Sequence, residues 1–317
     1  MIRRFSLLVR LIAGMFTAIL ASMLITGCDG RELCYDHSHK VSVSIEFDWS
    51  LAPEARPKTM VVWFFPTDGS QGLRFELLGG GNSSRVSFDT EVRVPEGSYH
   101  MVCHNGSTDF NTERGSGIDN YEITTYDVSV LSAMNRDDNA PLPDGGGLAV
   151  RSQASTLYAH TLPERLEVIK DSNIHHRVVF RPAEMSIVCD IEITNVENLT
   201  SEVTVSGVLT GASESYHAGS MTPTDKRVAV PFAFEKTGPD SLHGSMVLFG
   251  LSGEHKLRIY TSYKYYYDID VTGQIREQEG RRHIRIKIPG LKLPVSSSGM
   301  TPGVDDWGEI IDQPITM

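Results

Sequence analysis

The sequence predicts an all-β protein, two tandem β-sandwiches behind a short N-terminal leader. Three observations predict it. Apolar and polar residues alternate over stretch after stretch, as they do along half-buried strands, and runs with a helical period are scarce. Turn residues separate these stretches at intervals of about 8–12 residues, the spacing of a sandwich. Once the leader is set aside, 290 of the 317 residues remain, enough for two domains at roughly 100–200 residues each.

The leader comes first. Arg3, Arg4 and Arg10 give it a positive start, and Leu11 to Ile25 carries no charge over 15 residues. A spanning helix needs about 20 apolar residues, so this stretch fits the apolar region of a secretory signal. Ile25-Thr26-Gly27-Cys28 follows and resembles the bacterial lipobox. Small residues fit the cleft of the signal peptidase, and the cysteine thiolate takes the diacylglyceryl group. The expectation is a signal peptide over residues 1–27 and a lipid on Cys28. Several acyl chains would hold the protein stably, where one chain alone is a marginal anchor. The leader carries three arginines and no acid, so its removal takes the formal charge from −11 to −14. Such an acidic body argues against nucleic acid as a partner.

The strands follow in order. Val41, Val43, Ile45, Phe47 and Trp49 alternate with Ser42, Ser44, Glu46 and Asp48. Met60 to Phe65 is continuously apolar up to Pro66, the pattern of a central strand buried on both faces. Asp68-Gly69 and Gly79-Gly80-Gly81-Asn82 are turns around a strand at Leu73–Leu78. Arg85–Val94 and Ser98–His104 read as a hairpin about Pro95-Glu96-Gly97. Residues 105–118 are loop, Ile123–Leu131 is a candidate strand, and Asn135–Gly147 is the longest breaker segment of the first half. Leu157–Tyr158 and Leu166–Ile169 are short strands. A second series runs through Arg177–Phe180, Met185–Thr194, Val203–Leu209, Val228–Phe234 and Ser241–Leu251. His255–Val271 is one long strand or a hairpin whose turn the sequence does not mark, and Arg282–Ile288 is the last clear strand. The division falls near residue 172, giving domains at 28–172 and 173–317.

No catalytic signature is present. Gly-x-Ser-x-Gly, His-Glu-x-x-His and a phosphate-binding loop are all missing. Gly79-Gly80-Gly81 lacks the lysine and helix that such a loop requires. Cys34, His37 and His39 could contribute to a metal site only with a fourth ligand from elsewhere, and they sit in the lead-in to the first strand. Asp137, Asp138, Asn139 and Asp144 do not match the spacing of a calcium loop. Cys34, Cys103 and Cys189 are separated by 69 and 86 residues, which matches no metal pattern and predicts buried free thiols. Neither a metal nor a cofactor is expected. Tyr260, Tyr266 and Trp307 are the candidate contact residues. On an extended chain Tyr260 and Tyr266 share a mixed polar face with Arg258 and Asp268, where tyrosine rings can stack on a glycan or a protein. The competing reading is a core on the opposite face, with Tyr260 and Tyr266 as incidental surface tyrosines.

Several segments carry a resemblance. Arg31-Glu32-Leu33-Cys34-Tyr35-Asp36-His37 after the lipobox, Phe47-Asp48-Trp49, Ala52-Pro53-Glu54-Ala55 and Met60 to Pro66 resemble envelope lipoproteins of Bacteroidetes related to fimbrillins. Glu184 to Ile187, Val205 to Val208, Phe249-Gly250 and Val304-Asp305-Asp306-Trp307 extend the likeness over nearly all the mature chain. The resemblance implies two tandem transthyretin-like β-sandwiches. It implies a non-enzymatic anchor or accessory subunit of type V pili, of the minor-fimbrium anchor type, lipid-anchored in the outer membrane and facing the cell surface. Its partners would be fimbrial subunits joined by strand complementation. Shaft subunits of such pili are cut at a basic residue; whether Arg56, Arg74 or any other arginine is cut here stays open, and with it the choice between shaft subunit and anchor. Asp240-Ser241-Leu242 matches the three-residue pattern of Bacteroidetes O-glycosylation, with Ser241 as the acceptor. The alternative from another class is a surface lipoprotein that binds a glycan or host ligand through Tyr260, Tyr266 and Trp307 without forming fibres.

Overall fold

The computed structural model describes residues 40–79, 90–106, 108–136, 140–171, 173–295 and 307–310. Cys28, Cys34, His37, His39, Asp137, Asp138 and Asn139 lie outside the described residues. Strands make up 54% of the described residues and helix 5%, so the class is all-β.

The first pair of sheets is built from strands whose burial follows their residue pattern. β1 (Lys40–Phe47) alternates because only one face is covered, burying Val43, Ile45 and Phe47. It lies between β4 (Thr90–Pro95), antiparallel, and β11 (His176–Phe180), parallel. The opposing sheet centres on β2 (Thr59–Pro66), which lies between β3 (Leu73–Leu78) and β5 (Gly97–Gly106). β2 is apolar throughout because each face meets a different core. Met60, Val62 and Phe64 pack against β1 and β4 in the first core, and Phe65 turns the other way into a second cluster. β9 (Tyr158–Thr161) and β10 (Leu166–Val168) also pair with β5, and β12 (Ala183–Glu184) pairs with β9.

Residues 107–157 lie between β5 and β9. They include β6 (Thr112–Arg114), β7 (Glu122–Thr124) and β8 (Ala149–Val150). β7 pairs with β15 (Ser215–His217), which also pairs with β16 (Thr222–Pro223). β8 runs parallel to β17 (Arg227–Ala233). Through β8 this segment reaches the second pair of sheets.

That second pair has β18 (Glu235–Gly238), β19 (Ser241–Leu248), β13 (Ile187–Glu197) and β22 (His283–Lys292) in one layer. The other layer runs β23 (Gly308–Glu309), β21 (Tyr265–Asp270), β20 (Lys256–Thr261), β14 (Val205–Ser213), β17 and β8. A core of aliphatic residues and phenylalanines separates them. The short helix α1 (Thr272–Arg276) links β21 towards β22. The two pairs share one connectivity. In each, the first strand runs parallel to the last and antiparallel to a middle one, and the second strand sits between two antiparallel neighbours. The repeat is one of fold, with no matching repeat of sequence.

The structure corrects three expectations. β4 and β5 do not form a hairpin: β4 pairs with β1 and β5 with β2, so the chain crosses between layers at Pro95-Glu96. Alternation plus a turn reads the same for an arch as for a hairpin. The strand expected at Ile123–Leu131 is only Glu122–Thr124; beyond it Val130 and Leu131 leave the ladder to pack on the second sheet pair. Sheet membership also does not change at residue 172. β11 and β12 follow that point yet belong to the first pair, and residues 107–157 precede it yet reach the second. The segment His255–Val271 resolves into a hairpin, β20 and β21, turning through Lys264 at φ +62°.

Candidate interaction sites

The three residues singled out as contact candidates meet in one place, largely under cover. Tyr260 is fully buried, and its hydroxyl donates to the carbonyl of Pro141 at 2.6 Å. Trp307 stands edge-on to it with ring centroids 5.5 Å apart, and Tyr266 lies at 6.4 Å. The half-buried Tyr266 donates to Glu309. Around them, Val130, Leu131, Leu148 and Val150 come from the 107–157 segment and Val208 and Ala229 from β14 and β17. The outer face of the β14–β17–β20 layer is thus covered by the protein's own chain, and Tyr260 is a core residue. The expectation of a surface ring at Tyr260 fails because a segment distant in sequence lies over it.

Arg258, which the sequence reading noted only as a face-mate, organises this cover. It is cross-strand partner to Asp268 and pairs with it through two hydrogen bonds of 2.6 Å. Its third nitrogen donates to the carbonyls of Pro141 and Leu142, each at 3.0 Å, and its guanidinium sits 4.3 Å over the Tyr266 ring. Such a planar fork with a stacked face suits arginine and no other residue. The signal was available: Arg258 and Asp268 are opposite charges on the same expected face.

A second clamp holds the same segment lower down. Glu214 is buried and receives Arg114 at 2.8 Å, Arg151 at 2.9 Å and Lys226 at 2.8 Å. Burial would raise its carboxyl, but hydrogen bonds from Lys226, Arg114 and Arg151 outweigh burial and hold it at about 2. Arg114 and Arg151 belong to the 107–157 segment, so one carboxylate fastens it to the second sheet pair at two points.

The most enzyme-like grouping surrounds Glu113. Trp63 Nε1 donates to it at 3.1 Å, and Arg74 grips it through Nε and Nη2. His104 is buried and keeps its imidazole below the ordinary value because burial disfavours its charge. Its Nδ1 donates to the Asn105 carbonyl, so Nε2 accepts from the Tyr121 hydroxyl at 2.7 Å. Burial pushes the Glu113 carboxyl up, and the bonds from Arg74 and the nearby His104 bring it below its usual value. A carboxylate held this way is a poor base. Among the described residues, no serine or cysteine nucleophile lies within hydrogen-bond reach in this network, which acts as a strut between β3, β5 and β6. Cys103 and Cys189 are buried free thiols in separate cores, with Cys103 pushed well up by burial and Cys189 to about 12 by burial and Asp190.

A cavity of about 490 Å³ opens where α1 and β22 meet the turns of the second pair. Its floor is apolar, with Ile187, Tyr216, Phe249 and Leu251, and Arg276 and Arg282 stand at its rim. Arg56 sits in an exposed turn, whereas Arg74 lies within β3. Ser241 is half-buried at the start of β19, and its hydroxyl accepts from Thr237.

Compared with known proteins, residues 27–233 match the profile of a domain of unknown function, DUF5119. The chain belongs to the DUF5119 family. The match takes in the whole first sheet pair and the second as far as β17. A candidate fimbrium-anchoring subunit of Bacteroides ovatus, Fim4B, is 31% identical over 112 residues, which is 34% of this chain and 29% of that protein. The alignment therefore spans under a third of that relative. Among solved structures, a candidate adhesin of Bacteroides ovatus superposes with a TM-score of 0.58 at 19% identity, over 92% of this chain and 99% of the other. A candidate polysaccharide-binding protein of Bacteroides thetaiotaomicron gives 0.50 at 13% identity, over 79% and 90%. These two likenesses establish that this DUF5119 chain shares their fold.

Proposed function

We propose that this chain is a lipid-anchored subunit that holds the base of a type V pilus at the outer membrane and so contributes to adhesion. The observation that carries the reading is the 31% identity, over 112 residues, to a candidate fimbrium-anchoring subunit. The leader and Cys28 support it by supplying an export route and an anchor. The two sheet pairs of one connectivity fit tandem transthyretin-like sandwiches, a fold with strand edges on which fimbrial subunits can add a strand. An acidic chain with a neutralised carboxylate in its most enzyme-like cluster fits a structural role better than a catalytic one. Glycosylation at Ser241 is compatible with its place at the head of β19. The glycan-binding alternative has less support, because Tyr260 is buried beneath the 126–150 stretch.

The test is genetic. Deleting the gene in its own bacterium should leave surface fibres fewer, longer or shed into the medium when counted by electron microscopy. Replacing Cys28→Ser should move the protein from the membrane fraction to the soluble one and reproduce the fibre defect. Fibres unchanged in number, length and attachment after deletion would sink the proposal.

A further inference from the structure

β22 is the last strand of its sheet and runs for ten residues, with Ile284, Ile286 and Ile288 turned into the core. A long edge of this kind displays a row of unpaired N–H and C=O groups and invites another strand to pair with it. Which residues face outwards can be read from the ladder. Val188 N donates to the carbonyl of Arg282 at 2.8 Å, so even-numbered residues turn their backbone groups towards β13. By alternation, His283 at the start of the strand and then Arg285, Lys287 and Pro289 turn theirs away.

The last three of these positions are closed. Gln274 Nε2 donates to the Lys287 carbonyl at 3.0 Å, and the Lys287 N–H donates to Gln274 Oε1 at 2.8 Å. Gln278 repeats the arrangement at Arg285, with 2.8 Å to the carbonyl and 3.0 Å from the N–H. A glutamine amide carries the same donor and acceptor as a peptide unit, so the two side chains occupy the place of a neighbouring strand. The spacing makes this possible. Four residues along α1 and its continuing turn rise about 6 Å, and two residues along a strand advance about 6.6 Å. A further bond from Gln278 Nε2 to the Gln274 carbonyl, at 3.0 Å, fixes the pair to each other. Pro289 has no N–H to offer, and Gly290 at φ +124° turns the strand beyond it.

The equivalent strand of the first sheet pair has no such cover. β11 also ends its sheet and runs parallel to a first strand. Asp48 N donates to the Phe180 carbonyl, so Arg177 and Val179 face outwards. Among the described residues, no side chain bonds their backbone groups. β11 has five residues against ten in β22, and a short edge is a weaker template.

We propose that Gln274 and Gln278, with Pro289, are an edge guard that closes β22 to pairing with the β22 of a second copy of this chain. Such a pairing would be isologous and antiparallel, the simplest dimer a free edge can form. The inference stands on the chain's own hydrogen bonds and does not depend on the fimbrial reading.

The experiment compares the full chain with its Gln274→Ala/Gln278→Ala variant by light scattering across a concentration series and by site-resolved amide exchange. Wild-type protein should show protected amides at Arg285 and Lys287. In the variant those two amides should exchange roughly five-fold faster at low concentration, the effect of losing one hydrogen bond each. Dimer should then appear at concentrations where the wild type shows none. Adding Lys287→Pro to the variant should abolish that dimer. The proposal is overturned if the variant matches the wild-type mass at every concentration, or if its dimer survives Lys287→Pro. If the double variant does not fold, the wild-type exchange alone decides: amides at Arg285 and Lys287 exchanging at the rate of an unstructured peptide overturn it.

Discussion

Phe232 shows how closely single residues are fitted. Its ring lies between Gly207 on β14 and Gly244 on β19, where an added Cβ would fall 2.3 Å and 2.4 Å from ring carbons. Neither glycine has a turn to make; each is small because the ring occupies the space. Gly244→Ala should therefore cost about 1–3 kcal/mol through overpacking, read as a lower urea midpoint, and Phe232→Leu in the same chain should recover part of it. Glu214 gives a prediction in pH. Its carboxyl falls from 4.5 in the unfolded chain to about 2 in the fold, so its contribution is fully present above about pH 4.5 and is lost as pH drops towards 2. That contribution is about 3 kcal/mol. The stability gap between wild type and Glu214→Gln should be wide at pH 7 and close across that window in urea titrations. A gap independent of pH would refute the clamp.

Among the elements, the 107–157 segment departs furthest from the sequence reading. It was legible as loop and breaker residues, and most of it is irregular. Its destination was not legible, because the groups that receive it lie far along the chain. Arg258 and Pro141 are separated by 117 residues, and no local pattern joins them. Arg258→Ala should remove the guanidinium that binds the Pro141 and Leu142 carbonyls and leave Asp268 without its partner. The expected loss is about 3 kcal/mol, at the lower end for a broken buried pair because Asp268 keeps some exposure. Limited proteolysis should then cut within residues 126–150 before it cuts elsewhere. The β20–β21 hairpin was hidden for a different reason. Its turn uses Lys264 at positive φ, a conformation usually marked by glycine or asparagine, so the sequence offered no marker.

For the whole molecule, the apolar cluster around Phe65 binds the parts together. Phe65 and Val102 come from the back of the first sheets, Tyr121 and Ile123 from the 107–157 segment, and Tyr216 and Phe249 from the second pair. The two pairs therefore share buried surface. The candidate contact residues were legible as aromatic, but their exposure was not, since burial of Tyr260 depends on a covering segment more than a hundred residues away.

The sequence by itself determined the strand content, the apolar faces and the continuous burial of β2, because each follows from the period or composition of a short stretch. Only the tertiary structure decided which strands share a sheet, where residues 107–157 go, that Tyr260 is core, and that two glutamines close the edge of β22. These depend on contacts between residues distant in the chain, and the free energy of a buried ring or a paired carboxylate is set by whatever the fold places beside it.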